Sequence, residues 1–128
     1  MSDSFSFVVY GKAIGKERPR LGRGGHVYTP AKTRAFEEKV RLLALRARGR
    51  RSPLAGPVEL RIFFDVIGGK PSVCVEVLPL DASEGWMTGR PDVSNCVKAI
   101  EDALRKVLYG DDAQVARLLA ERRRRIIP

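Results

Sequence analysis

The chain is short of the residues that mark several common small-protein classes. Its 128 residues include two cysteines, one histidine and one tryptophan. Cys74 and Cys96 have no zinc-type spacing and no partner histidines, which argues against a zinc finger or ribbon. One disulfide between them is chemically open, but nothing marks the chain for export, so two reduced thiols in a cytoplasm of bacterial or phage type are expected. Met1-Ser2-Asp3-Ser4 is polar and acidic and lacks the basic and apolar regions of a secretory signal. No apolar run approaches the roughly 18 residues of a membrane helix, and no membrane partner is expected. Internal repeats and linkers are absent as well. What remains suffices for a folded protein. Hydrophobic residues make up 44%, so disorder is not the default. The length suits one domain, 1–128, with its own core.

Acidic residues are scarce between positions 11 and 51. That stretch has 13 Lys and Arg against three Asp and Glu, while the rest of the chain has 11 against 12. The formal net charge of +9 is thus concentrated in one segment. Such an imbalance points to a polyanionic partner, nucleic acid first; ordinary solubility is the plainer reading. Lys12, Lys16, Arg18, Arg20, Arg23 and Lys32 are the candidate DNA contacts. Glycines at 11, 15, 22, 24 and 25 disfavour helix there and let main-chain N–H groups approach phosphates, whose oxygens match arginine forks. A second basic run, Arg122 to Arg125, reads either as further contacts or as a solvated tail.

Hydrophobic spacing gives the elements. Phe5 to Tyr10 read as a strand. Thr33 as a cap opens a helix over about 33–48, where Phe36, Val40, Leu43, Ala44 and Ala47 recur at helical spacing. Residues 57–67 alternate as a strand, Gly68-Gly69-Lys70-Pro71 is a turn, and Ser72 to Leu78 is the hairpin partner. Residues 79–90 form a loop holding Trp86. Pro91 opens a second helix, in which Val93, Cys96, Val97, Ile100, Ala103, Leu104 and Val107 make an apolar stripe, as core or dimer contact. After a turn at Tyr109-Gly110-Asp111-Asp112, residues 113–121 read as a last strand or a helix, which periodicity does not decide. The sum is an α+β fold, a small mixed or antiparallel sheet with two main helices packed on it.

The second helix carries the chemistry. Asp92 stands at its start, and Ser94 and Lys98 share a face at i, i+4 spacing, roughly opposite the apolar stripe. Asp111 and Asp112 follow a turn able to bring the chain back along the helix, so carboxylates from two elements can converge beside one lysine. Magnesium takes hard oxygen ligands and keeps several waters. Phosphodiester hydrolysis needs a nucleophile near neutral pH and neutralisation of charge on phosphate; a bound metal supplies both, and a lysine adds to the second. Each residue also has a plainer role. Asp92 suits an N-cap, Asp111 and Asp112 suit a turn, and Lys98 suits a solvated face. Asp102 suits an ion pair with Lys98 or Lys106. His26 is a further candidate general base, but a glycine-rich stretch is a poor frame for keeping one within reach of its proton.

The run Arg90-Pro91-Asp92-Val93-Ser94-Asn95-Cys96-Val97-Lys98, then Asp102-Ala103-Leu104, then Asp111-Asp112-Ala113-Gln114-Val115, resembles the pattern of the RusA family of Holliday junction resolvases. A second block lies upstream in the right order, Gly15-Lys16-Glu17-Arg18-Pro19-Arg20 and then Tyr28-Thr29-Pro30-Ala31-Lys32-Thr33. The resemblance covers nearly the whole chain and is weakest over 68–89. It implies that Asp92 and Asp112 bind Mg²⁺, or Mn²⁺, and that Lys98 is the essential cation. It also implies a homodimer acting on a four-way DNA junction, since two symmetric nicks require two identical sites. The family's other metal-binding aspartate falls at position 94, where this chain has Ser94. A neutral hydroxyl is the weaker ligand, so metal affinity is expected to fall, with Asp111 a candidate to compensate. Arg105-Lys106 stands where relatives often carry Asn-Gly; without glycine the helix is expected to run on towards Leu108. Two rival readings stay open: a catalytically weak or inert branched-DNA binder of the same fold, and a general basic nucleic-acid-binding protein with structural acidic residues.

Overall fold

The computed structural model describes residues 3–15, 20–21, 23–25, 27–28, 31–64 and 66–124. His26, Lys16 and Arg18 lie outside them. The chain is α+β and divides into two compact units, Met1–Pro79 and Leu80–Pro128.

The first unit is a three-stranded antiparallel sheet with one helix. Strand β1 (Phe5–Tyr10) is followed by a two-residue hairpin, β2 (Arg20–Leu21) with β3 (Val27–Tyr28), then α1 (Ala31–Arg48), β4 (Val58–Phe64) and β5 (Ser72–Pro79). The spatial order is β1-β5-β4. Period-two alternation and the register stack apolar residues across one face. Val9 lies beside Val73 and that beside Phe64; Phe7, Val75 and Ile62 form the next row, and Phe5, Val77 and Leu60 the third. Helix α1 packs on β1, and the core is deepest there, where Val9 and Val73 are buried. The β4 column stays open, with Leu60 at 59%, Ile62 at 44% and Phe64 at 61% exposure. The other face carries Arg61, which pairs with Glu59 at 3.0 Å and with Glu76 of β5 at 3.7 Å.

The β4–β5 turn follows from its glycines. Gly68 (φ 50°) and Gly69 (φ 73°) both adopt the left-handed conformation that a two-residue hairpin loop requires. Lys70 N–H closes the turn on the Ile67 carbonyl at 2.8 Å. Helix α1 starts at Ala31, two residues earlier than the spacing predicts, so Thr33 is no cap; it lies inside the first turn, buried. The helix ends at Arg48 before Gly49 (φ 60°), a left-handed stop. Arg51 then fastens this end to β1. Its guanidinium donates to the Ala47 carbonyl at 2.8 Å and to the Ser4 carbonyl at 3.3 Å, and it lies 4.5 Å from the centre of the Phe5 ring.

The second unit holds α2 (Val93–Leu104), short 3₁₀ turns at Ala82–Glu84 and Asp112–Gln114, and irregular chain between them. Residues 115–124 form neither the strand nor the helix that their composition left open. Instead, backbone bonds from Met87 to Arg122 (2.8 Å) and from Arg124 to Gly85 (2.8 Å) tie residues 122–124 to the Trp86 loop. Arg123 lies 4.7 Å from the centre of the Trp86 ring and pairs with Glu84 at 3.4 Å. Arg122 donates to the Gly89 carbonyl at 2.8 Å. At least these two members of the basic run are therefore structural clasps rather than a solvated tail.

Candidate active site

Every residue proposed for catalysis lies in the second unit. Pro91 does not occupy the first helical position. Asp92 is the N-cap of α2, its Oδ2 accepting from Asn95 N–H at 3.4 Å, and Pro91 precedes the cap. The bond is long, and the carboxylate is exposed. Ser94 and Lys98 are exposed in the first and second turns of the helix. Among the described residues, Lys98 makes no ion pair. Asp102 turns away from both lysines expected for it and meets Arg105 instead, at 3.9 Å.

Helix α2 stops at Leu104 although no glycine follows. Arg105 is already extended (φ −58°, ψ 134°), and Lys106 takes φ 66°, a left-handed conformation that glycine adopts more readily. The expected continuation towards Leu108 is therefore overruled. The turn is closed by Lys106 N–H on the Tyr109 carbonyl at 2.6 Å and by Val107 and Leu108 N–H on the Leu104 carbonyl at 2.9 and 3.0 Å. These bonds offset the cost of a side chain in that conformation.

The reversal delivers the Asp111-Asp112-Ala113-Gln114 run. Asp111 caps the 3₁₀ turn, accepting from Ala113 N–H at 2.9 Å. Gln114 answers with its side-chain oxygen, which accepts from Gly110 N–H at 2.7 Å and Asp111 N–H at 2.9 Å. This reciprocal cap explains the spacing of the motif. A β-carbon at Gly110 would sit 3.2 Å from that oxygen, so a side chain there would require the glutamine to shift by a few tenths of an ångström. Asp111 is thus engaged in holding the turn, while Asp112 is presented. Asp112 Oδ2 pairs with Arg105 at 3.2 Å, and Oδ1 is sealed from solvent with no hydrogen-bond partner. A buried carboxylate oxygen without a donor is costly, and a water, a proton or a cation would satisfy it. Close by, partial desolvation holds the Tyr109 hydroxyl above its usual pKa, with the negative charges of Asp112 and Glu101 adding to the effect and Arg105 opposing it.

No group of three or more His, Cys, Asp or Glu side chains able to hold a metal forms among the described residues. Asp92 caps the start of α2 and Asp112 pairs with Arg105, the residue that caps its end, so no contact joins the two carboxylates; the unpartnered Asp112 oxygen is by itself a hard ligand of the kind magnesium takes. Sequence reasoning quoted Gln114 within the motif without its capping role, and did not foresee the pairing of Arg105. Gln114 carried a signal in the Asp-x-x-Gln spacing of a capping box. Arg105 carried none, because its pairing depends on where the reversal returns the chain.

Of the basic candidates, Lys12 and Lys32 are exposed in the first unit. The backbone of Arg20 lies in β2 and that of Arg23 begins a short 3₁₀ turn. No helix among the described residues is long and apolar enough to cross a membrane.

Comparison with known proteins agrees with these motifs. The uncharacterized protein YqaN of Bacillus subtilis (strain 168) is 35% identical over 121 residues, 91% of this chain and 84% of the relative. No solved structure matches the chain. The family model described as Endodeoxyribonuclease RusA matches residues 11–128. With both sequence blocks inside that match, the chain belongs to the RusA family of endodeoxyribonucleases.

Proposed function

We propose that this protein is a Mg²⁺-dependent endonuclease that resolves four-way DNA junctions by paired symmetric nicks. The observation that carries the reading is Asp112, presented by its own capped turn with one oxygen sealed and unpartnered, within the motif of a nuclease family. Asp92 and Asp112 would hold the cation, and Ser94 would add a weak neutral contact. Bound there, Mg²⁺ (or Mn²⁺) would supply Lewis acidity and a nucleophile near neutral pH. Lys98, exposed and without an ion pair among the described residues, stabilises charge on the phosphate. Lys12, Lys16, Arg18, Arg20, Arg23 and Lys32 grip the backbone without reading sequence, as recognition of a branched shape requires.

Two symmetric nicks call for two copies, so the active form is a homodimer. The open apolar column of β4 supports a surface for the second copy, because side chains of this kind are usually covered by a partner. The test is incubation of a synthetic four-way junction with Mg²⁺, with strand cuts read on a denaturing gel. Paired cuts at symmetric positions are expected; random nicking of linear duplex would overturn the reading. Ser94 favours one alternative, a junction binder of the same fold with little or no cleavage. Tight junction binding without any cut at any metal concentration would decide for it. Equal competition by junction and linear duplex would point to a general nucleic-acid binder.

A further inference from the structure

Arg105 lies one residue beyond α2, at the start of the reversal that returns Asp112 to the helix end. Its guanidinium spans two carboxylates from two elements, reaching Asp112 Oδ2 at 3.2 Å and Asp102 Oδ1 at 3.9 Å. A permanent cation is thus set against a proposed metal ligand. A planar fork with several donors suits that position better than a lysine would. The side chains of the pair are 45% and 39% exposed, so the contact is weak enough to open. We propose that Arg105 is an internal counter-cation of the acidic site, whose charge on Asp112 Oδ2 competes with a divalent ion for the carboxylate and thereby lowers the metal affinity of the site. This rests on the reading of Asp112 as a metal ligand. Two features of the chain then act in the same direction. Ser94 withholds a negative charge from the site, and Arg105 neutralises one that remains.

The experiment is a titration of the full chain with Mn²⁺, free ion being followed by its paramagnetic resonance signal. It compares wild type, Arg105→Gln, Arg105→Lys, Asp112→Asn and the Arg105→Gln/Asp112→Asn double variant. Circular dichroism verifies that each is folded, and Arg105→Lys keeps the charge should the neutral variant prove unstable. Arg105→Gln should bind Mn²⁺ about two- to fivefold tighter than wild type, the range that release of an exposed ion pair supports. Arg105→Lys should stay closer to wild type, and added salt should narrow the difference as it screens the pair. In the Asp112→Asn background the gain should vanish. If Asp112→Asn weakens binding but Arg105→Gln binds no tighter than wild type, Asp112 remains a ligand and the counter-cation role is overturned. If Asp112→Asn leaves Mn²⁺ binding unchanged, the metal reading itself fails and takes the role of Arg105 with it.

Discussion

Lys106 shows what one residue decides near the site. Its left-handed backbone (φ 66°) is the pivot on which Asp112 returns, and lysine is a poor residue for that conformation. Replacing it by glycine should stabilise the protein by about 0.5–1 kcal/mol, the strain removed being partly offset by the entropy of glycine. Thermal unfolding should show a rise of a few degrees; a fall would mean that the lysine side chain contributes more than its backbone costs. The same residue marks a limit of sequence reading. Without glycine the helix looked free to continue, because local preference carries no record of the bonds from Lys106, Val107 and Leu108 that close the turn. Asp92, Lys98 and Asp112 could be singled out from sequence because their spacing is itself the motif, and their roles stand as proposals. Arg105 could not, because only the folded turn sets it against Asp112.

At the scale of elements, helix α2 and the β4–β5 hairpin were readable from periodicity and from the two glycines between the strands, and the ends were not. Helix α1 begins earlier than Thr33 suggested, and the final segment is neither strand nor helix because its partner, the Trp86 loop, is distant in sequence. The 3₁₀ turn at Asp112–Gln114 is held by the reciprocal cap of Asp111 and Gln114. Gln114→Ala removes the acceptor for the Gly110 and Asp111 N–H groups. A loss of about 0.5–1.5 kcal/mol is expected, with faster hydrogen exchange at those two amides. Unchanged protection there would mean that the turn is held without the glutamine.

Over the whole molecule, the basic segment divides into structural and available charge. Arg51 clasps helix α1 to β1, so the excess of positive charge overstates the surface offered to DNA. Arg18→Ala with Arg20→Ala should weaken junction binding and lower the log–log salt slope by about 0.9 for each phosphate no longer neutralised; an unaltered slope would place the DNA surface elsewhere. Light scattering at micromolar concentration should report about twice the 14.2 kDa chain mass. A monomer with and without junction DNA would remove the paired-nick mechanism.

The central claim is that Asp92 and Asp112 form a metal site made incomplete by Ser94, and it is tested most directly by restoring the missing carboxylate. Ser94→Asp adds a charged oxygen ligand of the kind Mg²⁺ prefers. Lys98, four residues on, offsets part of the added repulsion. Asp92→Asn in the same background removes a ligand while keeping a residue that still caps α2, so the fold should survive. The measurement is single-turnover junction cleavage across Mg²⁺ concentrations for wild type, Ser94→Asp and the double variant. The account predicts that Ser94→Asp is faster by about tenfold or more, worth ~1.4 kcal/mol in the barrier, and that the double variant binds junctions but does not cut them. A Ser94→Asp protein no faster at any concentration, or a double variant that still cleaves, would contradict it.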